Sequence, residues 1–328
     1  MLHSEAHPPA ARPALEIVPT IMAGERGGPF GDSPGARVDP NTADSRFAGV
    51  GSLALRFRDG LFGCSGAAIG PRHVLTAAHC LFDGPTLLAP ENVTFVLNAG
   101  GDRTHMIRAA ALHVHPGFAP RFDLRFDLAV LALAEDLPEH VPVYGLLRQP
   151  LPLRTVVTFV GYGHSGDGHA GIDPDIGIRL EVKRTGRNVV DFIGGPGRPN
   201  ENLFFYDFDA PQAWGLNVLG GLSLGNQVET AGAFGDSGGP VFVDAADGSP
   251  LVAAVNNFGV HFRAAAFQRF STFGEGGGGV VVPPHLAWIE GVLGLAPPVV
   301  SASFVQDTSD DSAALFTEVE SNFDLYYY

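Results

Sequence analysis

Between about residue 50 and residue 255, apolar side chains recur in short runs separated by turn residues. In SLALRF (52–57), Leu53, Leu55 and Phe57 alternate with smaller or charged neighbours, the period of a strand with one buried face. The same reading assigns strands to VTFVLNA (93–99), MIRAAALHV (106–114), LAVLAL (128–133), VVTFVGYG (156–163) and IRLEVKR (178–184). It continues with LFFYDF (203–208), PVFVD (240–244) and PLVAAV (250–255), the last two joined by the hairpin signal ADGS (246–249). One helix is expected over PPHLAWIEGVLG (283–294), with prolines at its start, Gly294 at its end, and Leu286, Ile289 and Leu293 on one face. Short strands at this spacing predict an all-β antiparallel sandwich or barrel.

The flanks differ in texture. Residues 1–37 are rich in Pro, Gly and Ala without a period, which reads as a leader or linker. Residues 295–328 hold six acids and no Lys or Arg, and finish in LYYY beyond the expected core. No internal repeat is visible.

Composition narrows the classes. Of 328 residues, 45% are hydrophobic and 17% charged, which suits a globular chain. With 20 basic and 35 acidic side chains the net charge is −15, which argues against nucleic acid or an anionic membrane as a main partner. No apolar run reaches the length of a membrane span. Residues 1–24 lack the basic start and continuous apolar stretch of a secretory signal. The two cysteines, Cys64 and Cys80, are too few for a structural zinc site and too far apart for a CxxC redox pair. A single disulfide, implying an oxidising compartment, is the economical reading, and two separate buried thiols are the alternative.

Three segments carry candidate chemistry. GDSGGP (235–240) sets an acid and a hydroxyl among glycines, and alone it would pass for a tight surface turn. GCSGAAIGPRHVLTAAHC (63–80) ends in His79-Cys80, and a Cys64–Cys80 bridge would fix the backbone beside His79, contributing roughly 3 kcal/mol by loop entropy. In RFDLRFDLAVLAL (121–133), Asp127 immediately precedes an apolar strand and is preferred over Asp123 for that reason. Serine hydrolysis requires a nucleophile, an imidazole base, a carboxylate that sets the imidazole tautomer, and backbone N–H donors for the oxyanion. Ser237 supplies the hydroxyl, and Gly235 permits a turn in which its own N–H and that of Ser237 converge.

LTAAHC, DLAVLAL and GDSGGP, in that order, resemble the trypsin/chymotrypsin family of serine proteases, and VHPGF (114–118), VGYG (160–163) and AWIEGVL (287–293) extend the resemblance over about residues 38–294. The resemblance implies two six-stranded Greek-key barrels divided near residues 145–155, with the active site between them. It implies His79 as general base, Asp127 as its orienting partner, Ser237 as nucleophile, and Gly235 and Ser237 as the oxyanion hole. Substrates would be proteins or peptides, with no cofactor and no metal, and the protein would be secreted, periplasmic or extracellular. Asp236 would form a buried ion pair with a newly cut N-terminal amine. Arg37-Val38 offers the matching cleavage site, so Val38 is the expected partner of Asp236, residues 1–37 the propeptide, and a separate trypsin-like protease the activator.

Some positions depart from the family pattern. Only the disulfide beside His79 can form. The usual Ser-Trp-Gly substrate-binding strand reads NNFG (256–259), with Asn256 or Asn257 for the serine and Phe258 for the tryptophan. The pocket floor, six residues before the nucleophile, is Ala231, followed by Gly232, Ala233 and Phe234, with a far wall near Gly278 and Gly279. An uncompensated guanidinium there would be costly, so cleavage after uncharged, apolar P1 residues is expected. Asp207 and Asp209 invite a calcium reading, against which a solvated loop is preferred. HSGDGH (164–169) reads as a Gly-rich turn rather than a metal site. Two competing functions are an esterase, disfavoured because Gly235-Asp236-Ser237 has the wrong neighbour for the nucleophile elbow of that class, and an idle homologue that binds through its tail.

Overall fold

The computed structural model describes residues 21–27, 32–119, 124–176, 179–195, 198–199, 202–210, 216–262, 270–295 and 323–327. In the first half, six strands close into a barrel: Val50–Phe57, Gly60–Gly70, His73–Thr76, Ala129–Leu133, His105–Val114 and Val93–Leu97, in that neighbour order. Their inward faces bring together the buried side chains of Leu53, Val74, Phe95 and Leu131. Gly60–Gly70 and His73–Thr76 are strands that the apolar pattern does not predict. The first is built largely of small residues and the second is only four residues long, so neither shows an alternating face.

The second half forms a ten-stranded sheet. Its path runs Arg184–Val189, Val156–Gly161, Pro240–Asp244, Pro250–Phe262, Gly276–Val281, Leu203–Asp207, Phe192–Gly195 and Arg198–Pro199. Gly145–Leu146 and Phe323–Tyr327 also pair with Pro250–Phe262. An aromatic core fills this half, with Phe159 and Tyr206 rings 4.9 Å apart and Phe208 and Phe273 rings 4.7 Å apart. The strand Gly276–Val281 (GGGGVV) has no readable pattern because its glycines answer to neighbours rather than to a core face. A Cβ on Gly278 would collide with the carbonyl of Phe204, and one on Gly279 with the carbonyl of Val255. The expected helix is a 3-10 turn, Pro283–His285, followed by an α-helix, Leu286–Val292, that buries Ile289.

Three expectations need correction. The strand expected over 178–184 begins only at Arg184. Lys183, inside the expected run, is wholly buried and donates to the carbonyl of Phe47 at 2.7 Å while pairing with Asp39 at 2.9 Å. It anchors the chain between the two halves, which a charged residue in an alternating run does not announce. The acidic tail does not stay apart from the body, since Phe323–Tyr327 adds a strand to the sheet.

The linker reading of the first 37 residues is the third: where it is described the segment is packed, with Ile21, Met22 and Ala23 buried and residues 32–37 bonded into the body. Arg37 grips Asp32 through both carboxylate oxygens, at 2.8 and 2.9 Å, and donates to the carbonyls of Val228 at 2.8 Å and Glu229 at 3.0 Å. A buried guanidinium with this many acceptors is a structural clamp, and it is inaccessible to a protease seeking arginine.

Arg37→Met should therefore leave Asp32 as a buried charge without its partner and lower unfolding free energy by about 3 kcal/mol. Denaturant unfolding of the two proteins checks this, and a loss below about 1 kcal/mol would place Arg37 among surface ion pairs.

Candidate active site

The register of the first barrel creates the site. His73–Thr76 pairs with Ala129–Leu133 so that Thr76 faces Ala129. Chain leaving the end of one strand reaches His79, in the 3-10 turn His79–Leu81, and chain entering the other passes through Asp127, just after the turn Leu124–Phe126. The two side chains are thus delivered to the same rim. His79 Nδ1 lies 2.6 Å from Asp127 Oδ2, and the His79 backbone N–H donates to Asp127 Oδ1 at 2.8 Å. Asp127 is fully buried, so these donors compensate a desolvated carboxylate. Asp123, its competitor in the sequence, falls outside the described residues.

Ser237 arrives from the other half, on the turn that precedes Pro240–Asp244. Its Oγ lies 2.8 Å from His79 Nε2, so serine, imidazole and carboxylate stand in one continuous hydrogen-bonded chain. The turn is bonded to the first barrel at Ser65, beside Cys64. Ser65 N–H donates to the carbonyl of Ser237 at 2.8 Å, and Ser65 Oγ donates to that of Gly235 at 3.0 Å. Cys64 and Cys80 are disulfide-bonded, which ties this same strand to the turn carrying His79. Gly235 has φ 92° and Gly238 φ 78°, the left-handed region that favours glycine. A side chain on Gly238 would also collide with Thr76 Oγ1 and the Ser65 carbonyl.

Asn257 is one of the two candidates for the family's serine position. Its amide donates to the carbonyl of Asp127 at 2.7 Å and accepts from Val280 N–H at 3.0 Å. It therefore holds the triad carboxylate's backbone in place. Phe258 is buried against Phe205, with ring centroids 5.5 Å apart. Asn256, bonded through its backbone to Gly238 and Gly239, keeps both amide atoms buried without a partner beside the serine turn. Ala231 is fully buried, Tyr206 Oη accepts from Gly232 N–H at 2.9 Å, and Phe234 packs between His164 and Phe270. His164, in the expected Gly-rich turn, is pushed down to about 4 by burial.

Asp236 points away from the triad into a closed niche. It accepts from Gly163 N–H at 2.8 Å and Ala233 N–H at 3.0 Å, and also from the backbone N–H of Ile21. Burial raises its pKa to about 7, with these donors and the charge of Arg184 opposing the rise. Cβ atoms on Gly161 or Gly163 would strike Asp236, which explains the glycines of VGYG. Val38, the expected partner, is 41% exposed and bridges through its backbone to Arg184. The main-chain N–H from this end of the chain that meets Asp236 is that of Ile21. Met22 N–H donates to the carbonyl of Ala231 at 3.1 Å, Ser165 Oγ to that of Ile21 at 2.9 Å, and Thr230 Oγ1 to that of Met22 at 2.6 Å. Sequence reasoning passes over Ile21, Ser65, Ser165 and Thr230. The available signal is IMAG (21–24), a branched aliphatic residue followed by Met, Ala and Gly inside a segment read as leader.

Asp207 and Asp209 belong to no solvated loop. They are buried with Asp191 and Glu229, and one carboxylate oxygen on each of Asp207 and Asp209 has no hydrogen-bond donor. Burial first, then the neighbouring charge of Asp207, raises Asp191 and Asp209 to about 8, and burial raises Glu229 to about 7.

Comparison with known proteins finds similarity to serine proteases. The Trypsin family model matches residues 44–188. Coagulation factor XII of Rattus norvegicus is 36% identical over 118 residues, covering 32% of this chain and 19% of the relative. Serine protease SP24D of Anopheles gambiae is 26% identical over 248 residues, covering 73% of this chain and 79% of the relative. The match thus takes in about a fifth of the first relative and about four fifths of the second.

The acidic cluster sets a pH dependence of stability. Between the ordinary values of 3.8 for Asp and 4.5 for Glu and the raised ones, the folded protein keeps protons that the unfolded chain releases. Stability must therefore fall as pH rises through that window and level off above about 8. Melting temperatures of Ser237→Ala protein, measured from pH 5 to pH 9, should decline to about pH 8, and Asp209→Asn should flatten the decline. Melting temperatures that rose over this range would contradict the assignment.

Proposed function

We propose that this chain, a member of the trypsin/chymotrypsin-like serine protease family, is a serine endopeptidase working through an acyl-enzyme. The observation that carries the reading is the unbroken chain from Ser237 Oγ through the His79 ring to Asp127, at 2.8 and 2.6 Å. His79 Nε2 takes the hydroxyl proton as Oγ bonds to the peptide carbonyl carbon, and Asp127 steadies the imidazolium that forms. The oxyanion is met by the N–H groups of Gly235 and Ser237. His79 returns the proton to the departing amine, and water then releases the acyl group by the same steps in reverse. With Ala231 at its floor, the pocket accepts uncharged P1 side chains. The disulfide suits an oxidising, extracytoplasmic compartment. Among the described residues no helix is long and apolar enough to cross a membrane.

Activation follows from the contact between Ile21 and Asp236. Cleavage between residues 20 and 21 turns the Ile21 amide into an ammonium facing a buried carboxylate that now has only N–H donors and Arg184 nearby. The resulting ion pair fixes the turn holding Gly235 and Ser237. Thr20 precedes the scissile bond, so the activator must accept an uncharged P1 residue and need not be trypsin-like.

Ser237→Ala should abolish casein digestion while keeping the fold, and Asp127→Asn should lower turnover by about 10⁴. Casein fragments from the active enzyme should end in uncharged residues. Near-normal digestion by Ser237→Ala, or fragments ending mainly in Lys and Arg, would reject the corresponding assignment. Terminal sequencing of the active enzyme should read IMAG, and trace trypsin should not raise activity by cutting after Arg37. An active form beginning VDPN would restore the Arg37-Val38 site.

A further inference from the structure

The strand Pro250–Phe262 is paired on both sides only over part of its length. Pro240–Asp244 lies along one edge as far as Val255, opposite Pro240. There the neighbouring chain departs into the Gly235–Gly239 turn that holds Ser237. The opposite edge is occupied by Gly276–Val281 through Val260. Asn256 still bonds to Gly238 and Gly239 through its backbone, so the edge that Pro240–Asp244 leaves uncovered begins after Asn256, on the side of the serine turn. An open strand edge beside a nucleophile is where an extended peptide can add as a further strand, with main-chain hydrogen bonds supplying the affinity.

That edge is filled by this chain's own C-terminal segment. Phe323–Tyr327 runs antiparallel to it, with Phe258 opposite Tyr327, Gly259 opposite Tyr326, Val260 opposite Leu325, His261 opposite Asp324 and Phe262 opposite Phe323. Phe258 and Gly259 belong to NNFG, the stretch that stands in place of the family's substrate-binding strand. The direction brings the segment's C-terminal end toward Asn257 and so toward the serine turn, with the polarity of the acyl half of a substrate.

We propose that the tail, residues 296–328, is an intramolecular inhibitor whose strand Phe323–Tyr327 occupies the edge a peptide substrate must use. The proposal rests on the endopeptidase reading above. The connection is long enough for docking and release, since 27 residues lie between Leu295 and Phe323 and can span up to about 90 Å. Such a tether holds the tail near its site at roughly millimolar effective concentration. A segment that bound only at ~0.1 mM when free would then keep the edge occupied about ten to one. The tail contains no Lys or Arg, so a trypsin-like protease would leave the device in place.

The test compares activated full-length chain with the same protein ending at Leu295, using a chromogenic peptide four residues long. Truncation should lower KM about ten-fold with kcat little changed. A synthetic peptide of residues 319–328 should inhibit the truncated form competitively. In case truncation disturbs folding, the double variant Leu325→Pro with Tyr326→Pro keeps the tail but removes two adjacent N–H groups. One of these must face the partner strand, so the variant should behave like the truncation. Equal KM values for full-length, truncated and proline forms, with no inhibition by the peptide, would overturn the proposal while leaving the endopeptidase reading intact. No hydrolysis by any of the three forms would overturn the reading on which it rests.

Discussion

The site depends on a single seam. A turn from the second half is bonded to the barrel of the first through Ser65, whose N–H and hydroxyl hold the carbonyls of Ser237 and Gly235. Neither half contains the chemistry alone, since His79 and Asp127 come from one and Ser237 from the other. The seam is closed sterically as well as by hydrogen bonds. Gly238 lies so near Thr76 and Ser65 that any side chain there would push Ser237 away from His79. Neighbouring constraints converge on the same place: the disulfide fixes the His79 turn to the Ser65 strand, and Asn257 bonds the Asp127 backbone.

Asp236 adds the second constraint. It is buried where carboxylates are costly, and its donors come from Gly163, Ala233 and Ile21. The segment 21–24 therefore reports to the residue beside the nucleophile, and the geometry of Gly235 and Ser237 is set partly by chain more than two hundred residues earlier. The C-terminal strand pairs with Phe258–Phe262, the edge proposed above for substrate.

Much of this was readable from the sequence, for identifiable reasons. Alternation of Leu53, Leu55 and Phe57 marked Val50–Phe57, while a short apolar run marked Leu203–Asp207, which is buried at every position. LTAAHC, DLAVLAL and GDSGGP marked His79, Asp127 and Ser237, which the fold brings into one hydrogen-bonded chain. Glycine-dominated Gly276–Val281 was illegible as a strand, since its composition records close backbone approach rather than a core face. Ile21 was missed because its partner is distant in sequence and its neighbours look like linker. Arg37 is ambiguous in the sequence, because a basic residue before an aliphatic one suits a cleavage site and a buried clamp alike, and only the structure shows the clamp. Buried Asp207 and Asp209 misled, since acids near Pro and Asn resemble a solvated loop until their burial is seen.

The central claim is that Ser237 is a nucleophile activated by His79 once Ile21 is free to pair with Asp236. Intact-mass and peptide mapping after treatment with a fluorophosphonate tests it most directly. Protein beginning at Ile21 should gain one adduct, on Ser237, and should lose it with His79→Ala. An unlabelled Ser237 in that protein, or an adduct on another residue, would contradict the account.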